Sequence, residues 1–85
     1  MTKQHEIESL AFDGDWMTLG VDQRVYRLPL AQVSKRLLQA SAADRNIYRI
    51  APSGYGIHWP TLDEDLSING LLKLAKAQSQ ALETH

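Results

Sequence analysis

His58, Asp63, Glu64 and Asp65 are the one cluster of ligand-type side chains in this 85-residue chain, and three kinds of chemistry could be asked of them. A hard cation would need several carboxylate oxygens converging on one point. A calcium loop of the helix-loop-helix type would also need glycine at its sixth position and glutamate at its twelfth. Counted from Asp63, Gly70 is eighth, so no metal site is expected. An acid beside His58 could orient the imidazole as a general base. Catalysis would further need a nucleophile and oxyanion donors, and Ser53 and Ser67 sit in no elbow or glycine-rich context. No catalytic residue is expected, and His58 reads as a strand histidine bonded to a nearby carboxylate or loop carbonyl. For the acids the preferred reading is architectural: they precede a helix starting at Ser67, and each carboxylate at a helix N-terminus contributes about 0.3–1 kcal/mol. The other reading makes His58, Asp63, Glu64 and Asp65 a partner-facing surface.

A second group is basic. Residues 24–49 hold Arg24, Arg27, Lys35, Arg36, Arg45 and Arg49 against Asp44 alone, a local charge of +5, between flanks of −4 and −2. Tyr26, Tyr48 and Tyr55 are interleaved with Arg24, Arg27 and Arg49, a pattern that suits base stacking on a sheet. Against it stands a chain charge of −1, far from the basicity of a dedicated nucleic-acid module; large aromatics in a chain this short are needed inside. Nucleic-acid binding through these six cations is therefore the alternative reading. Gly54 and Gly56 are too close together for a phosphate cradle and precede a strand instead of opening a helix, so no cofactor is expected. The absence of cysteine removes disulfides, thiolate zinc and thiol nucleophiles. No apolar run is long enough to span a bilayer, and Met1 to Glu6 lack a signal-peptide core. The expectation is one cytoplasmic domain over 1–85, with no membrane partner.

The elements that must position these residues follow from periodicity. Ile7, Leu10 and Phe12 form an extended run ending at Asp13-Gly14, a dipeptide suited to a hairpin turn. Met17, Leu19 and Val21 alternate with Thr18 and Gly20 as in a half-buried strand. Asp22-Gln23 turns the chain into Arg24–Leu28, with Tyr26 and Leu28 on one face. Pro29 suits a helix start, and Leu30, Val33, Leu37 and Ala40 recur at helical spacing. Ser41-Ala42-Ala43-Asp44 has the spacing of a capping box, with Asn46 ending the turn it opens. Ile47–Ile50 and Tyr55–Trp59 flank Pro52-Ser53-Gly54 as a second hairpin, with Tyr55, Ile57 and Trp59 on one face. Ile68, Leu71, Leu72, Ala75 and Leu82 predict a last helix over about 67–82, fraying from Ala77 to His85. Leu74, Ala77 and Ala81 make a second stripe on it, suited to a partner or a second copy. The fold class expected is α+β: a small antiparallel sheet, a three-strand meander plus a hairpin, with two helices packed on one face.

The string Gly56-Ile57-His58-Trp59-Pro60-x-Leu62-Asp63-Glu64-Asp65-Leu66-Ser67-Ile68-x-Gly70-Leu71-Leu72 resembles the bacterial domain-of-unknown-function family 2442. Pro29-Leu30, Ala43-x-Arg45-Asn46 and Tyr48-Arg49 extend the resemblance to about residues 6–72. Relatives in that family are small prokaryotic proteins, often encoded beside another small protein in a toxin–antitoxin-like arrangement, and some carry an added helix-turn-helix domain. The family supplies no catalytic residues to transfer. The resemblance thus implies a non-enzymatic protein-binding or regulatory module with a protein partner, with homodimerisation the further arrangement to consider.

Overall fold

The computed structural model describes residues 5–83, and the side chains of residues 5–78. The chain opens with an antiparallel meander of β1 (Ile7–Asp13), β2 (Trp16–Val21) and β3 (Arg24–Pro29). Register puts Leu10 and Phe12 opposite Leu19 and Met17, and these in turn opposite Tyr26 and Leu28, so the predicted apolar face is continuous across three strands. Ile7 joins that face despite standing three residues before Leu10, because the register shifts between Ile7 and Ser9. The bulge leaves Glu8 as the extra residue, and its Oε1 accepts the Gln23 N–H at 2.7 Å. Both turns use positive φ. Gly14 takes +58° as the first central residue of the β1–β2 turn; Asp22 and Gln23 take 53° and 66° between β2 and β3, as a type I′ turn requires.

The helix expected from Pro29 onward is broken in two. α1 (Leu30–Val33) and α2 (Lys35–Gln39) are separated by Ser34, whose φ of −165° and ψ of 123° are extended. Ser34 is buried, and its Oγ accepts the Leu37 N–H at 3.2 Å, capping α2. Leu30 and Leu37 still reach the core, which is why their spacing resembled one continuous helix. α3 (Ala42–Arg45) is the single turn expected after Ser41, whose side chain accepts the Asp44 N–H, with Asn46 as its C-cap.

β4 (Arg49–Ile50) and β5 (Gly56–Trp59) form the predicted hairpin, joined by β6 (Glu64–Ser67) as a third strand. The acidic stretch therefore does not cap a helix. Asp63 occupies a left-handed turn at φ 51° and Glu64 and Asp65 are strand residues. The apolar residues Leu62 and Leu66 around the acids pack against the core, which holds the stretch as the return strand of a hairpin. Ser67 alone caps the last helix, α4 (Ile68–Glu83), accepting the Gly70 N–H at 3.0 Å. Leu82 and Ala81, each placed on one of the two stripes of this helix, have side chains outside the described set; the backbone stays helical from Ala77, where fraying was expected to begin, to Glu83.

The fold is thus α+β, with two three-stranded antiparallel sheets in place of the single sheet expected from the meander and the hairpin. Met17, Leu19, Leu28, Leu30, Leu37, Trp59 and Ile68 are fully buried in one core between sheets and helices. Each such side chain contributes about 1.5–3 kcal/mol by leaving water. Trp59 lies at its centre, edge-on to Phe12 and tilted against Tyr48, with its indole N–H donating to the Arg45 carbonyl at 2.9 Å. Trp16 and Tyr55 are the aromatics left exposed, at 40% and 58%. Tyr55 precedes β5 and does not share the buried face of Ile57 and Trp59. Among the described residues no helix is long and apolar enough to cross a membrane.

Candidate functional site

In the second sheet, Ile57 and Trp59 turn inward, so strand alternation sends Gly56 and His58 to the opposite face. Register completes that face: Arg49 stands opposite His58 on one side and Asp65 on the other, a row of three polar side chains across β4, β5 and β6. His58 Nδ1 and Asp65 Oδ1 are 2.7 Å apart. With Nδ1 donating to the carboxylate, Nε2 is the imidazole atom presented outward. Arg49 is exposed, and its side chain makes no hydrogen bond or ion pair with the described residues.

This face carries a depression of about 620 Å³ lined by Arg49, Gly56, His58, Asp65 and Ser67 together with Ile50, Pro52 and Tyr55. Its floor is open because Gly56 has no side chain. A Cβ there would stand 3.1 Å from the Leu66 carbonyl, so a larger residue would both fill the hollow and press on β6. Ile50 at 40% exposure and Tyr55 at 58% put apolar surface at its rim. A smaller depression of about 350 Å³ lies beyond β6, between Gln32 and Val33 of α1 and Gly70, Leu71 and Leu74 of α4. Leu74, from the second stripe of the last helix, lines it.

The structure divides the acidic cluster. Asp65 joins His58 as a dyad. Glu64, opposite Trp59, is half-buried and accepts the Ser34 hydroxyl proton at 2.5 Å, with its other oxygen accepting the Asp65 N–H at 3.1 Å. Asp63 is exposed, and its carbonyl, with that of Leu62, accepts the Arg36 guanidinium. Only His58 and Asp65 of the four candidates reach the hollow. Among the described residues no group of three or more metal-ligating side chains converges.

The six cations are dispersed as well. Arg45 is a clasp: its guanidinium donates to the carbonyls of Leu37, Leu38 and Gly14 at 2.8, 2.9 and 2.6 Å, joining α2 to the first hairpin. Arg36 ties α2 to the turn before β6. Arg27 lies 4.7 Å above the Trp16 ring, a cation–π contact, and 4.0 Å from Asp13. Arg24, on the opposite face of β3 from Arg27, is exposed like Lys35. Arg49 alone of the six lines the hollow. A carboxylate partner for His58 was expected from the sequence, but the row of Arg49, His58 and Asp65 was not, because it requires residues 64–67 to be a strand; the turn at Pro52-Ser53-Gly54 was the signal that set Arg49 against His58.

Comparison with known proteins bears on the fold and not on an activity. No curated protein matches the chain. A crystal structure of a protein of unknown function from Rhodospirillum rubrum is similar with a TM-score of 0.65 and 26% identity, over 82% of this chain and 87% of that one. The family model described as protein of unknown function (DUF2442) matches residues 7–77, which span the meander, the hollow and most of α4. The chain therefore belongs to that family.

Proposed function

We propose that the protein is a non-enzymatic protein-binding module, acting in the cytoplasm, whose contact surface is the hollow on the β4–β5–β6 face. The observation that carries this reading is the combination in one depression of exposed apolar surface, at Ile50 and Tyr55, with polar side-chain atoms that have no partner among the described residues, at Arg49 and His58 Nε2. Tyrosine and arginine are the side chains that most often dominate binding energy at protein contacts. Asp65 Oδ1 is engaged by His58, whereas the Arg49 guanidinium has no side-chain partner among the described residues and is the cation that the hollow offers. The occupant that fits is a protein segment presenting an apolar side chain to the hollow and a carboxylate to Arg49.

The dyad is better suited to binding than to proton transfer. His58 and Asp65 have side chains 43% and 75% exposed, open to water on a sheet face, and Ser67, the serine that lines the hollow with them, accepts the Gly70 N–H as the cap of α4. What favours a protein partner over nucleic acid is that Arg36 and Arg45 are engaged by backbone carbonyls and Arg27 by Trp16. The family's habit of standing beside a second small gene makes that neighbour's product the first partner to test, with this chain in an antitoxin-like role.

The test is site-specific photo-cross-linking in the native host, with a benzoylphenylalanine replacing Tyr55 in one strain and Val25, 73% exposed on the meander, in another. The proposal expects one defined protein adduct from position 55, identical to the species co-purifying with the wild type at a stoichiometric ratio. Adducts from position 25 alone, or retention on DNA or RNA at low salt with no protein adduct, would overturn it.

A further inference from the structure

His5 draws together three elements that are remote in sequence. Its Nδ1 lies 2.7 Å from Asp22 Oδ2 in the β2–β3 turn, and its Nε2 lies 2.8 Å from Asn69 Oδ1 in the first turn of α4. Its backbone N–H donates to the Ser53 carbonyl at 3.4 Å, in the turn between β4 and β5. That turn approaches so closely that a Cβ on Gly54 would stand 1.9 Å from the His5 carbonyl oxygen. Asp22 is itself fixed by the Glu6 backbone, accepting its N–H at Oδ1 and donating its own N–H to the Glu6 carbonyl, both at 2.9 Å.

Both ring nitrogens of His5 face oxygens that accept. Only an imidazolium donates from both nitrogens; a neutral ring donates from one, so one of the two contacts must break or Asn69 must turn its amide around. The hydrogen bond to Asp22, then that to Asn69, raises His5 above the ordinary imidazole value, with burial opposing and the charge of Asp22 assisting. Among the described residues, the charged group facing the ring is Asp22; α4 contributes the neutral Asn69, the β4–β5 turn contributes backbone, and Glu6 follows His5 in the chain. The consequence reaches the hollow, because the turn held under His5 continues into Pro52 and Tyr55 at its rim.

We propose that His5 is a pH-operated clasp: as an imidazolium it locks the β2–β3 turn and α4 together over the 51–54 turn and so fixes the rim of the hollow, and on deprotonation it releases that rim. This goes beyond partner binding, and it stands or falls without any partner.

The test is an NMR pH titration of the full chain between pH 5 and 9. The expected result is a His5 ring titration centred above the ordinary imidazole value of about 6.5, with the Gly54 and Tyr55 amides shifting at the same midpoint. In His5→Gln those two amides lose that transition. Gly54 and Tyr55 amides that stay flat through the His5 transition, or that titrate unchanged in His5→Gln, overturn the proposal. Should His5→Gln fail to fold, Asn69→Ala decides: removing one acceptor lowers the His5 midpoint, and an unmoved midpoint overturns the clasp.

Discussion

Ser34→Ala removes two hydrogen bonds with a single atom. Ser34 Oγ caps α2 by accepting the Leu37 N–H, and a lost serine cap costs about 0.5–2 kcal/mol. The same hydroxyl donates to Glu64 at 2.5 Å in a half-buried setting, and a hydrogen bond to an ionised group contributes about 1.5–3 kcal/mol. Because the two share one atom and are not additive, the expected loss is about 2–4 kcal/mol. A domain of this size holds about 5–10 kcal/mol in all, so the melting temperature should fall by about 10–25 °C. Urea unfolding followed by circular dichroism, with thermal melts alongside, measures both quantities. A Glu64→Gln partner variant completes a double-mutant cycle in which a coupling of about 1–2 kcal/mol is expected. The sign of the single variant is the discriminating feature. In a continuous helix from Leu30 to Ala40, Ser34→Ala would be neutral or stabilising by a few tenths of a kcal/mol, since alanine is the better helix former. A neutral or stabilised variant would refute the role given to Ser34 and Glu64.

Other perturbations follow the same geometry. Gly54→Ala places a methyl on the His5 carbonyl at a φ of +72°, so a loss of about 1–3 kcal/mol in urea unfolding is expected, with the His5 ring returning toward its ordinary titration. Arg45→Lys cannot reproduce a fork reaching three carbonyls and should cost about 2–4 kcal/mol, whereas Arg49→Lys should stay within about 0.5 kcal/mol of wild type. Melting temperature against pH has two limbs. His5 is raised in the folded protein, so its contribution is complete below the unfolded value near 6.5 and disappears as pH rises through the folded value. Asp22 is lowered by the Glu6 N–H and then by His5, so its contribution is present above its unfolded value of 3.8 and disappears as pH falls through the folded one. The alkaline decline should be absent in His5→Gln.

Much of this architecture can be read from residue order. The meander, the role of Pro29, the single turn opened by Ser41 and the second hairpin follow from alternation, turn residues and caps, because in those segments local preference and tertiary packing agree. Two elements diverge where packing prevails. Leu30, Val33 and Leu37 keep helical spacing across Ser34, and nothing local announces that Glu64, thirty residues away, holds the serine in extended backbone. Asp63-Glu64-Asp65 reads as a helix cap by charge, yet Leu62 and Leu66 pack on the core and the intervening acids complete a strand. That one difference determines the candidate site. As a cap the acids would have been equivalent; as a turn and a strand they part, Asp63 to solvent, Glu64 to Ser34 and Asp65 to His58. His5 escaped sequence reasoning because its partners, Asp22 and Asn69, stand 17 and 64 residues away.

The central claim is that a protein partner is held at the hollow of the second sheet, and the most direct measurement is calorimetric titration of the purified cross-linked partner against wild type and Tyr55→Ala. Tyr55 is 58% exposed, so its removal leaves folding stability within about 0.5 kcal/mol, while loss of a tyrosine anchor at a contact weakens binding by about 2 kcal/mol, roughly thirtyfold. A thirtyfold weaker complex with an unchanged melting temperature is the predicted result. Equal affinity for the two proteins would contradict the account.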